Sequence, residues 1–96
     1  MKKGYWISCY RKIFDEAKLG SYAELAQPAV ESQGGRFLVR GPAAYASGSG
    51  VKGRTVIVEW PSLEEAQNAY ASNDYQVALA ALADGVDRDF RIVEGA

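Results

Sequence analysis

Apolar positions along this chain recur first every second residue, then every third or fourth, and the switches between the two rhythms mark its elements. Gly4 to Tyr10 (GYWISCY) is aromatic and β-branched rich, which predicts a first strand. Asp15 then caps a helix whose apolar positions Leu19, Tyr22, Leu25, Ala26, Ala29 and Val30 fall on one face. Ser21 with Glu24 offers a second possible start, and Pro28 is expected to bend the helix. Gly34 and Gly35 stop it, and Arg36 to Arg40 (RFLVR) predicts a second strand. The Gly41 to Gly53 stretch is turn-rich. Arg54 to Trp60 (RTVIVEW) is the clearest strand in the chain, closed by Pro61. Ser62 with Glu65 opens a short helix through Ala66, Ala69 and Tyr70. Asn73 with Gln76 repeats the cap chemistry, and Tyr75, Leu79, Leu82 and Val86 continue a helical face. Arg88 to Glu94 (RDFRIVE) alternates as a last strand.

Strand, helix, strand, strand, helix, strand is the split βαβ order, so the predicted fold is α+β: one ferredoxin-like βαββαβ domain over residues 1–96 with a four-stranded antiparallel sheet. Helices then cover one sheet face only, and alternation divides each strand between the two faces. The uniformly apolar set, Tyr5, Ile7, Cys9, Phe37, Val39, Val56, Val58, Phe90 and Ile92, is assigned to the helix side. The opposite set mixes Trp6, Ser8, Tyr10, Leu38, Ile57 and Val93 with Arg36, Arg40, Thr55, Glu59 and Arg91. Such a face suits a partly polar homodimer interface that encloses a cavity.

Composition narrows the chemistry. In 96 residues, 48% are hydrophobic and 24% charged, which fits one folded core. A net charge of −1 with no basic run argues against nucleic acid and anionic membrane surfaces as partners. No apolar run approaches a secretory h-region or the ~20 residues of a membrane span, so a cytoplasmic location is expected. The single cysteine, Cys9, cannot form an internal disulfide and reads as a buried thiol. With no histidine, neither zinc hydrolysis nor Ser-His-Asp chemistry is expected, and no metal or other cofactor is assigned.

Arg36 and Arg40 share a parity and together would clamp an anionic group bidentately, or pair with Glu59 across subunits. Glu59 is the one candidate general base, although burial beside arginine would make it structural. Trp6 and Tyr10, on the same predicted face, complete a candidate ligand-binding set with Arg36 and Arg40. Tyr70 and Tyr75 read as core, and GSGVKG (Gly48 to Gly53) lacks the Lys-Ser/Thr pair of a phosphate loop.

GGRFLVRG (Gly34 to Gly41), VEWPS (Val58 to Ser62) with Ala66 after it, SNDYQ (Ser72 to Gln76) and IVEG (Ile92 to Gly95), with the opening KGYWI and the Asp15 to Tyr22 spacing, resemble the bacterial family catalogued as domain of unknown function 1330. The resemblance implies a dimeric α/β barrel in which two ferredoxin-like sheets pack face to face. The wider group of such barrels includes cofactor-free monooxygenases, lactone isomerases, haem-handling enzymes and amino-acid-sensing domains, so the fold offers analogy only. This chain lacks the histidine of the haem-handling relatives. It also reads AALADG (Ala80 to Gly85) where the family often carries an arginine, leaving Arg88 as a substitute. The functional expectation is a cofactor-independent enzyme acting on a small organic acid or aromatic. A non-catalytic ligand-sensing module and a purely structural dimer are the alternatives.

Overall fold

The computed structural model describes all residues from Met1 to Ala96. Its elements are β1 (Gly4–Ile13), α1 (Glu16–Ser32), β2 (Arg36–Pro42), β3 (Arg54–Trp60), α2 (Leu63–Ala71), α3 (Asn73–Leu82) and β4 (Val86–Glu94). The four strands form one antiparallel sheet in the order β2-β3-β1-β4, as the ferredoxin-like arrangement requires.

Local chemistry sets the element ends. Asp15 is extended (φ −142°) and accepts a hydrogen bond from the Lys18 N–H at 3.0 Å, so α1 starts there and not at Ser21. The helix runs on through Gly20 and Pro28. Gly34 follows it at φ 94°, the left-handed geometry that favours glycine, and the Gly35 N–H closes onto the Val30 carbonyl at 3.0 Å. A Cβ on Gly35 would stand 2.6 Å from Val30 Cγ1 and 2.8 Å from the Trp60 ring, so glycine lets this turn pass close over the core. Ser62 caps α2 as expected. Ser72, one residue before the expected Asn73, caps α3 through the Tyr75 N–H, and Val86 opens β4.

The core lies between the sheet and the three helices. Trp6 is its hub: 3% exposed, it donates from its indole N–H to the Ala66 carbonyl at 2.9 Å and packs on Trp60, Tyr75 and Phe90. This corrects the face assignment of β1. The register sets Trp6 against Val58 and Ile92, and Ser8 against Val56 and Phe90, so Trp6, Ser8 and Tyr10 belong to the helix side. Tyr5, Ile7 and Cys9 lie on the open face, where the Cys9 thiol is exposed and not buried as expected. Ser8 between two aromatics made the buried row look polar, while the Ile–Cys pair made the open row look apolar.

A bulge corrects β2. Phe37 faces Val58, but the next paired residues are Val39 with Ile57 and Arg40 with Val56, because Leu38 is an extra residue in the ladder. Phe37 therefore keeps the helix side, Val39 moves to the open face, and Arg40 crosses to the helix side, away from Arg36. A second bulge at Arg11 offsets β1 from β4. No helix of the chain is long and apolar enough to cross a membrane.

Candidate functional site

At one end of the sheet, under α1, the helix-side rows stop being apolar. Val56 and Val58 of β3 are preceded on their row by Arg54, and Phe90 and Ile92 of β4 are preceded by Arg88. The bulge brings Arg40 of β2 to the same side, and Tyr10 of β1 stands directly opposite Arg88. These four residues, with Ser8, Tyr22 and Gln27, line a cleft of about 40 Å³ floored by Trp6, Phe37, Val56 and Phe90. No Asp or Glu lines it, although it holds three guanidinium groups.

Each arginine is held by neutral partners. Arg40 lies over the Phe37 ring at 4.6 Å and donates to Gln27 Oε1 at 3.3 Å. Arg54 lies 5.8 Å from the centroid of the Tyr10 ring, and its Nε is buried with no hydrogen-bond partner in the protein. Arg88 donates to three phenol oxygens, Tyr10 at 3.4 Å, Tyr22 at 3.3 Å and Tyr75 at 3.2 Å, and stacks on Phe90 at 4.8 Å. Burial works against the Arg88 charge, but the oxygens of Tyr22 and Tyr75 outweigh it and raise its proton affinity. The only ion pairs in the chain, Lys18 with Asp84 and Asp89 with Arg91, lie elsewhere on the surface.

The phenols have a direction. Tyr75 is fully buried, and burial first, then the neighbouring Tyr22, push its phenol far above the usual range, so it keeps its proton. Its two polar neighbours are Arg88, which can only donate, and Tyr22 Oη at 2.7 Å. Tyr75 therefore donates to Tyr22. Tyr22 Oη then accepts from both Tyr75 and Arg88, which leaves its own O–H free to donate into the cleft it lines. Arg40, Arg54, Ser8 and Tyr22 add up to a wall of donors, the chemistry of a site for an anionic oxygen ligand.

Of the residues singled out from the sequence, Arg40, Tyr10 and Trp6 meet in this cleft. Arg36 and Glu59 do not: they face each other across β2 and β3 on the open side, with no ion pair between them, and Glu59 is reached by the Tyr5 hydroxyl at 3.5 Å. The expected shared pocket of Arg36, Arg40 and Glu59 fails on the Leu38 bulge, which reverses parity between the two arginines. Ser8, Tyr22 and Arg54 were not anticipated as site residues, and Arg88 only as a substitute.

The family described as Domain of unknown function (DUF1330) matches residues 3–96. The chain belongs to this family. No curated protein matches this DUF1330 chain at a significant level. Among solved structures, a Rhodopseudomonas palustris protein of unknown function superposes with a TM-score of 0.78 at 14% identity, covering 99% of this chain and 83% of that one. A Caulobacter crescentus protein described as a candidate antibiotic biosynthesis monooxygenase gives 0.59 at 13% identity, over 99% and 90% of the two chains. A dimeric ferredoxin-like protein of unknown function from Thermobifida fusca gives 0.61 at 17%, over 97% and 91%. At these identities the likeness shows that the DUF1330 chain shares their fold.

Proposed function

We propose that the protein binds a small organic anion in the cleft between α1 and the sheet and acts on it as a cofactor-independent acid–base enzyme. One observation carries the binding: three guanidiniums converge with no carboxylate among them, in a chain whose net charge is −1. Arg40 is exposed, but Arg54 and Arg88 are half-buried; charge held partly out of water without a counter-ion is costly, and a bound anion would relieve it. The floor of Trp6, Phe37, Val56 and Phe90 suits an apolar or aromatic body attached to that anion. For chemistry, the Tyr22 hydroxyl supplies a positioned proton donor. Arg88 and Tyr75 both reach its oxygen, at 3.3 and 2.7 Å, and hold the hydroxyl in place. The fold likeness to a protein described as a candidate monooxygenase is in keeping with small-molecule chemistry on this scaffold.

The open face, with Val39 and Val93 each about two-fifths exposed beside Ile7 and Ile57, suits a second copy of the chain. A dimeric fold neighbour supports that assembly. Trp6, expected at this interface, is core instead and takes no part in it. Titration of the protein with a panel of small aliphatic and aromatic acids, followed by NMR of the mixtures over time, tests the function. Saturable binding with slow conversion of at least one acid is expected. Binding with no conversion reduces the reading to a ligand sensor, and no binding by any acid overturns it.

A further inference from the structure

Two polar atoms in the cleft have no partner in the protein, and they belong to neighbouring strands. Ser8 is 3% exposed, lines the cleft, and its Oγ is buried without a hydrogen bond. Arg54 Nε is in the same condition. Ser8 faces Val56 across β1 and β3, and Arg54 stands two residues before Val56 on the same face, so the two are diagonal neighbours. Such positions are about 7–8 Å apart at the backbone, a span that one small group can bridge from side chains reaching inward. The chain satisfies nearly all its other buried side-chain polar atoms; the third exception, Trp60 Nε1, does not line the cleft. Two orphans on residues that line one cavity point to a missing acceptor and not to scattered packing faults.

Resting on the anion-pocket reading above, we propose that Ser8 Oγ–H and Arg54 Nε–H form the seat of a ligand carboxylate. Each offers a single proton, so the pair matches the two oxygens of a planar carboxylate. The four oxygens of a tetrahedral phosphate would present more acceptors than these two donors serve, so the seat favours a carboxylate head. The rest of the ligand lies along Phe37 toward Arg40 and Gln27, whose contact closes that side of the cleft. The Tyr22 hydroxyl and the Arg88 N–H groups not given to phenols remain for another oxygen of the ligand.

The test is calorimetric titration of the wild type, Ser8→Ala, Arg54→Lys and Arg88→Gln with acetate, benzoate and inorganic phosphate, alongside melting curves without ligand. Ser8→Ala removes a hydroxyl that has nothing to bond, so its ligand-free melting temperature should equal or exceed that of the wild type. Its benzoate affinity should fall about tenfold. Arg54→Lys keeps the charge but removes the Nε–H, and should lose a similar factor, which secures the test if Ser8→Ala folds poorly. Full carboxylate affinity in both variants overturns the seat, and if Arg88→Gln is weakened at the same time the anion pocket stands without it. Tighter binding of phosphate than of benzoate overturns the carboxylate assignment alone. Failure of the wild type to bind any of the three anions overturns the seat and the pocket together.

Discussion

Replacing Arg88 with methionine separates a residue kept for a ligand from one kept for the fold. Methionine fills much of the same volume and retains contact with Phe90, which the guanidinium covers at 4.8 Å. The substitution deletes three hydrogen bonds of 3.2, 3.3 and 3.4 Å to Tyr75, Tyr22 and Tyr10. These are longer than the ~2.7–2.9 Å of strong charge-assisted bonds, so each is set near the low end, about 1 kcal/mol, or roughly 3 kcal/mol for the three. Against that loss stands the release of a largely buried charge with no counter-ion, a burden of several kcal/mol. Tyr22 and Tyr75 still bond each other at 2.7 Å, so only the Tyr10 hydroxyl loses its partner. The two contributions nearly cancel, and urea unfolding of Arg88→Met should give a stability within about 1 kcal/mol of the wild type. Ligand binding has no such compensation: losing a charged donor costs roughly 1.5–3 kcal/mol, or about 10- to 150-fold in affinity for an organic acid. A variant destabilised by more than about 3 kcal/mol that binds acids as the wild type does would refute the reasoning, since Arg88 would then be a structural strut.

Two further outcomes are expected. The Tyr75 phenol is raised by burial in the folded protein above its ordinary value of 10.0, so it steadies the fold fully below about pH 10 and progressively less as pH climbs beyond that. Stability of the wild type measured between pH 9 and 11 should fall by up to ~1.4 kcal/mol per unit more than that of Tyr75→Phe; parallel curves would contradict the assignment. On the open face, Ile57→Glu places charge where Ile7 and Val39 lie opposite on the two adjoining strands. Light scattering should report twice the 10.4 kDa chain mass for the wild type and the single mass for the variant; equal masses would reject this face as the dimer contact.

Element order, strand direction and the Asp15 and Ser62 caps were legible because each rests on interactions within a few residues. The sides of β1 were not, because parity says which residues share a face but not which face the helices cover. Ser8 weighted that choice the wrong way: a buried hydroxyl with no protein partner breaks the pattern a core row is expected to keep. The Leu38 bulge was hidden for another reason. Nothing in RFLVRG marks an extra residue, and only pairing with β3 reveals that Arg40 faces Val56 while Arg36 faces Glu59.

Yet part of the site could be read. Arg54 shares parity with Val56, Val58 and Trp60, and Arg88 with Phe90 and Ile92, so each heads a row otherwise committed to the core. A charged residue at the head of an apolar row ordinarily turns its end group to water. Here two such rows end on either side of β1 beneath α1, and the bulge adds a third arginine to the same cleft. No carboxylate follows them in, although the chain carries 12 acidic residues that would neutralise the cluster from almost any neighbouring position. Local stability would favour such a pairing. Its absence, together with unpaired donors at Ser8 and Arg54, is what the proposed anion site calls for, with its negative charge supplied from outside the chain.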